Sequence, residues 1–142
     1  SLEERLASAR ARKREAQAKR EAAQAERELA AEVEREELAA NDEVAIEQAE
    51  AEHGPVGKRI RVVPTELGAV IVKRPHPNIY RRFRDKGEVN TQSMEKLVRP
   101  CVVYPEVAAF DRILDEIPAT LDRCANAVAE LAGFRAKEAS GK

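Results

Sequence analysis

Between Leu2 and about residue 52 apolar side chains are thinly spread, and neither Gly nor Pro interrupts the run. Ala, Glu, Arg, Gln and Leu dominate it. These are the strongest helix formers, so the pattern predicts one helical arm over residues 1–53. Its apolar face is weak. One stripe follows Ala7, Ala11, Ala18, Ala22, Ala25, Leu29, Val33, Ala40 and Val44, and a strict seven-residue run follows Leu2, Ala9, Ala16, Ala23 and Ala30. Neither supplies the paired a and d positions of a robust coiled coil, because Lys13, Arg20 and Arg27 stand four residues beyond Ala9, Ala16 and Ala23. Alone, such a helix is only partly stable. Three states fit it: an arm docked on something large, an Ala-lined pairing helix, or a solvated spacer. Asn41-Asp42 marks a kink or a new N-cap, and His53-Gly54-Pro55 stops the helix in the expected order.

Beyond Gly54 the period changes. KRIRVV (Lys58 to Val63) and AVIVKR (Ala69 to Arg74) are β-branched runs joined by a five-residue loop ending in Gly68, which predicts a β-hairpin over 58–74. A lone hairpin is marginal in water, so this one packs on the following helices, pairs with another chain, or both. Helices are expected at about 78–86, 91–99, 105–117 and 119–132. Ile79, Tyr80 and Phe83 share a face of the first, and Asn90 caps the second, which turns Met94, Leu97 and Val98 inward. Val102-Val103-Tyr104 is too short for an independent strand, and Pro105 is expected at the first position of the next helix. That helix is expected to bury Val107, Phe110, Ile113, Leu114 and Ile117. After Pro118, the last helix turns in Leu121, Cys124, Val128 and Leu131. The two are expected to close on each other as a helical hairpin, with Phe83 and Leu97 completing the core. Residues 135–142 read as a frayed tail. The fold class is mainly α with a small β-hairpin, a long N-terminal helical arm being followed by a compact helical domain at 54–134.

Charge sharpens this picture. The net charge of −1 over 142 residues hides blocks of opposite sign. Residues 1–20 hold seven basic against three acidic side chains, residues 21–53 two against twelve, and residues 54–99 eleven against four. Such blocks orient association with a partner or with a second copy, or else mark solvated faces. With three Phe, two Tyr and no Trp, the core must come mainly from Val, Leu, Ile and Ala, and no large ligand cavity is expected. No run of 18 apolar residues and no apolar leader indicates a membrane span or secretion. Cys101 and Cys124 sit among apolar neighbours and read as buried thiols rather than a disulfide. Two Cys and two distant His make no metal spacing, and Asp111, Asp115 and Glu116 lie on a polar helix face without a partnering His. No catalytic grouping and no cofactor is therefore expected. Arg74, Arg81, Arg82 and Arg84 around Tyr80 and Phe83 are the nearest approach to a nucleic-acid signature, yet nothing matches a helix-turn-helix or an aromatic RNA-binding sheet.

The order AVIVKRPHPNIYRRFRD, a short helix, the corner CVVYP, a Phe/Leu helix and the end AELAG resembles the tail assembly chaperones of long-tailed bacteriophages and related contractile systems. The likeness covers about residues 58–133. It implies a small helical protein without enzymatic activity that holds the aggregation-prone tape-measure protein before and during tail tube assembly, in the host cytoplasm. The arm departs from that pattern and leaves room for a permanent structural protein of the virion, whose arm and hairpin stitch subunits together. A basic nucleic-acid-binding adaptor is a third reading. In the first two the partners are other protein subunits or a second copy, with neither nucleic acid nor membrane. Elements that cannot complete their own burial gain most from association, so the expected partner-binding residues are Leu29 and Val33 of the arm, Ile60, Val62, Val70, Val72 and Arg74 of the hairpin, and Tyr80, Arg81 and Arg82 beyond it.

Overall fold

The computed structural model describes residues 1–135, so all of the expected frayed tail except Arg135 lies outside the described residues. The chain is mostly helical with a small antiparallel sheet, and a long N-terminal helix precedes a compact domain. In order the elements are α1 (Leu2–His53), β1 (Ile60–Val63), β2 (Val70–Lys73), α2 (Pro77–Asp85), α3 (Thr91–Val98), a 3-10 turn (Arg99–Cys101), β3 (Val102–Tyr104), α4 (Val107–Glu116) and α5 (Thr120–Leu131). Two compact units divide the chain, residues 1–39 and residues from Ala40 onward. No helix among the described residues is long and apolar enough to cross a membrane.

The first unit is helix alone. None of its side chains is buried, and Leu29 and Val33 are 62% and 49% exposed.

The second unit begins at Ala40 rather than at the expected Gly54, because the end of α1 belongs to its core. Ala45 and Ala49 are buried with Ile60 and Ile71, and Ile46, Val62, Val103 and Tyr104 pack around them. This is not the expected stripe: Val44, which lies on that stripe, stays exposed. Nor does Asn41-Asp42 break the helix. Asp42 Oδ2 instead accepts a hydrogen bond from the Ala69 backbone N–H at 3.0 Å, tying α1 to the start of β2. The helix stops where the sequence places the stop, with the Gly54 N–H donating to the Glu50 carbonyl at 2.9 Å. Gly54 is required there twice over. Its φ of +108° is left-handed, and a Cβ would lie 2.6 Å from Arg59 Cγ.

The expected hairpin forms, with Val62 opposite Ile71 and Val63 opposite Val70. Its loop closes on Thr65, whose Oγ1 donates to the Gly68 carbonyl at 2.6 Å and accepts from the Leu67 N–H at 3.0 Å. Yet the hairpin is not alone. Val102–Tyr104 adds a third antiparallel strand, giving the order β1-β2-β3 with an irregularity where Val102 meets Val72 and Tyr104 meets Ile71. Central β2 is consequently covered on both faces. Ile71 faces the end of α1, while Val70 and Val72 join the main core of Val63, Leu97, Val98, Cys101, Phe110, Ile113 and the inward side of α5.

Two expectations about the C-terminal helices need correction. α5 packs chiefly on α3 and on β1 and β2, and its contact with α4 is thin, so the two do not form a self-contained hairpin. α4 starts at Val107 with Glu106 as its N-cap, not at Pro105. Val107 is 69% exposed because it stands in the first turn, where its side chain leans back past the edge of the core. Leu114 and Ile117 are half-buried; Phe110, Ile113, Leu121, Cys124, Val128 and Leu131 are buried as expected.

Cys101 and Cys124 are free and buried. Burial lifts the Cys101 thiol from an ordinary 9.0 to about 11, against a small opposing pull from Lys73. It lifts Cys124 to about 12, opposed by Arg123. Because both folded values exceed the unfolded one, the linked stability is complete below pH 9 and is lost as the pH rises through 11 and 12. Neither thiol should react with a disulfide reagent at about pH 8 until guanidinium unfolds the chain. Rapid modification of the folded chain would show that this side of the core is open.

Candidate functional site

α2 and α3 form for local reasons and leave a space between them. The Asn78 N–H donates to His76 Nδ1 at 3.1 Å, Pro77 stands in the first turn of α2, and Gly87 follows its end at a φ of +72°. Asn90 and Ser93 make a reciprocal capping box at the start of α3: the Ser93 N–H donates to Asn90 Oδ1 at 2.9 Å and the Asn90 N–H donates to Ser93 Oγ at 3.0 Å. α3 sinks Leu97 and Val98 into the core. By contrast α2 buries no residue fully, and its Ile79, Tyr80 and Phe83 rest half-exposed on the core.

The result is an open groove of about 880 Å³, whose lining includes Ile79, Phe83, Leu97 and Pro100 together with Arg82, Lys86, Glu95, Lys96 and Arg99. Its cations differ in kind. Arg99 is committed: its Nε donates to Glu95 Oε1 at 2.7 Å and its Nη2 to Asp111 Oδ1 at 2.6 Å, and its guanidinium lies 5.4 Å from the centre of the Phe110 ring. Glu95, and then Asp111, hold its pKa above the ordinary arginine value. Among the described residues no carboxylate lies within ion-pair distance of Arg82, Lys86 or Lys96. The Lys86 ammonium beside Lys96 depresses the pKa of Lys96. Two like charges side by side at the rim of an apolar trough favour an anionic, partly apolar occupant.

The expected binding residues divide sharply. Ile60, Val70 and Val72 are fully buried and cannot meet a partner: the end of α1 covers Ile60, Val70 and Val72 lie in the main core, and β3 pairs the second edge of β2. Val62 is half-buried beside α1. Arg74 works within the fold, its Nε donating to the Leu131 carbonyl at 3.0 Å and its Nη2 to the Lys58 carbonyl at 3.3 Å. Arg81 is exposed and donates to Asn78 Oδ1 at 3.1 Å, while Tyr80 is half-buried against the core. Of the ten, only Arg82 lines the groove. Phe83, expected in the core, touches it and lines the groove as well. Lys86, Lys96 and Ile79 were not singled out as binding residues. The sole signal for them is that a half-apolar α2 and the +7 block of residues 54–99 coincide. The expectation of no large cavity did not foresee this surface trough.

Comparison with protein-family models, with curated proteins and with solved structures finds no match to this chain.

Proposed function

We propose that the chain is a non-enzymatic binding module of phage tail assembly, which holds a helical, partly apolar segment of a tail component in the groove between α2 and α3. The observation that carries this reading is the groove itself: Ile79, Phe83 and Pro100 offer an apolar bed, and Arg82, Lys86 and Lys96 leave positive charge uncompensated at its rim. An amphipathic helix with acidic flanks satisfies both, its apolar side chains leaving water while its carboxylates meet the lysines. The resemblance over residues 58–133 supports the tail-assembly setting, and the groove lies within it. A permanent place in the particle is the second reading, favoured by the exposed Leu29 and Val33 of α1.

Co-expression of the full chain with the tape-measure protein of the same particle tests the first reading. The native chain should keep that protein in the soluble fraction and co-purify with it. Lys86→Glu/Lys96→Glu changes only exposed side chains, so it should leave folding intact and reduce co-purification about tenfold. Phe83→Asp should do the same if it folds. Undiminished capture by the charge-reversed chain, or no capture by the native one, would overturn the groove as the binding site.

A further inference from the structure

The face of α1 that carries Leu29 and Val33 has a hidden symmetry. Eighteen residues make about five helical turns, so positions that far apart lie on one line along the helix. Ala11 is thus in line with Leu29, Arg10 with Glu28 and Arg14 with Glu32. Along the flank beside the apolar line, charge changes sign from positive near residues 10–14 to negative near residues 28–32. The switch falls near residue 20, the middle of the unit formed by residues 1–39. Up to residue 20 the unit holds seven cations against three carboxylates, and from residue 21 to 39 seven carboxylates against two cations. Among the described residues no ion pair engages Arg10, Arg14, Glu28 or Glu32.

We propose that residues 1–39 of α1 pair antiparallel with the same residues of a second copy, with Ala11 opposite Leu29 and Ala7 opposite Val33 across a two-fold axis near residue 20. In this arrangement the large apolar side chains of one copy lie over the alanines of the other, which lets the helices approach closely. Arg10 and Arg14 face Glu32 and Glu28 of the second copy, out of step by about 3 Å along the axis and within reach of their long side chains. A parallel, in-register pair would instead set the basic first half of one copy beside the basic half of the other, and acidic half beside acidic half. The same copy of the sequence thus supplies attraction in one direction and repulsion in the other. Glu4 and Glu36, which fall opposite each other, bound the paired stretch at Ala7 and Val33.

Full-length variants test both the pairing and its direction. Light scattering of the native chain should give about twice the mass of the 15.8 kDa monomer. Arg10→Glu/Arg14→Glu alone, or Glu28→Arg/Glu32→Arg alone, should raise the dissociation constant about tenfold or more. Combining all four substitutions in one chain should restore it, since the antiparallel pairs are re-formed with signs exchanged. Mixing an Ala11→Cys chain with a Leu29→Cys chain under mild oxidation should join one to the other, with Cys101 and Cys124 buried and silent. A monomer at every concentration, association indifferent to the charge reversals, or Ala11→Cys chains joined to themselves would each overturn the proposal. None of these outcomes bears on capture by the α2/α3 groove, which is read separately through Lys86 and Lys96.

Discussion

Replacing Phe110 by Ala should lower the free energy of unfolding by about 3 to 5 kcal/mol. Phe110 is 1% exposed and is the largest of the fully buried side chains. It anchors α4 in the main core and carries the Arg99 guanidinium above its ring, so truncation opens a cavity and also removes the surface on which the Arg99, Glu95 and Asp111 contacts rest. Beside Phe110, Ile113 is buried in the same core and Leu114 packs against it, while contact between α4 and α5 is thin. Since domains of this size are stable by only about 5 to 15 kcal/mol, the variant should melt far below the parent, by heat and by urea alike. A loss below about 1 kcal/mol would mean that α4 does not seal the core.

Val72→Asp should do more. Val72 is on the central strand, opposite Arg61 on one side and Val102 on the other, and its side chain is wholly buried in the main core. A carboxylate there would have neither water nor a partner, and even protonated it would leave unmet hydrogen-bonding groups among Val, Leu and Phe. The expected cost exceeds about 4 kcal/mol, enough to abolish cooperative folding of the compact unit. Circular dichroism should then show helix, chiefly from α1, without a sigmoidal denaturation curve. If the variant instead folds with near-native stability, β2 is not sandwiched and its role as a binding edge returns to consideration.

Most elements were legible in the sequence because their signals are local. His53-Gly54-Pro55 ends α1, Asn90 caps α3 and the Gly68 loop closes the hairpin, all within a few residues of where the pattern puts them. What escaped is non-local. Three residues, Val102–Tyr104, become a strand only because β2, some thirty positions earlier in the chain, offers its free edge, and no window around them contains that information. Burial of Ala45 and Ala49 was equally hidden, since a buried alanine and a solvated one in an Ala-rich helix are spelled alike. These two omissions account for the misplacement of the binding site: without a third strand and a covering helix, Ile60, Val70 and Val72 had no visible use except outside the fold. The groove depends on how far apart α2 and α3 stand, and on Lys86 coming beside Lys96 across a turn. The sequence records both lysines but not their meeting.

The unburied state of residues 1–39 has a consequence for how this chain tolerates change. With no side chain buried, the first unit can lose little stability through almost any substitution short of Gly or Pro, because helix propensity varies by only about 0.7 kcal/mol among ordinary residues. A survey of all single substitutions scored by folding alone would therefore return a blank over the arm and a dense pattern over the core. Scored by fitness of the assembled system, the arm can show a pattern only where it touches something. Any period that emerges there, at Ala7, Ala11, Leu29 and Val33 or along another line, would be a footprint of contact, free of the background that packing imposes on every other helix of the protein.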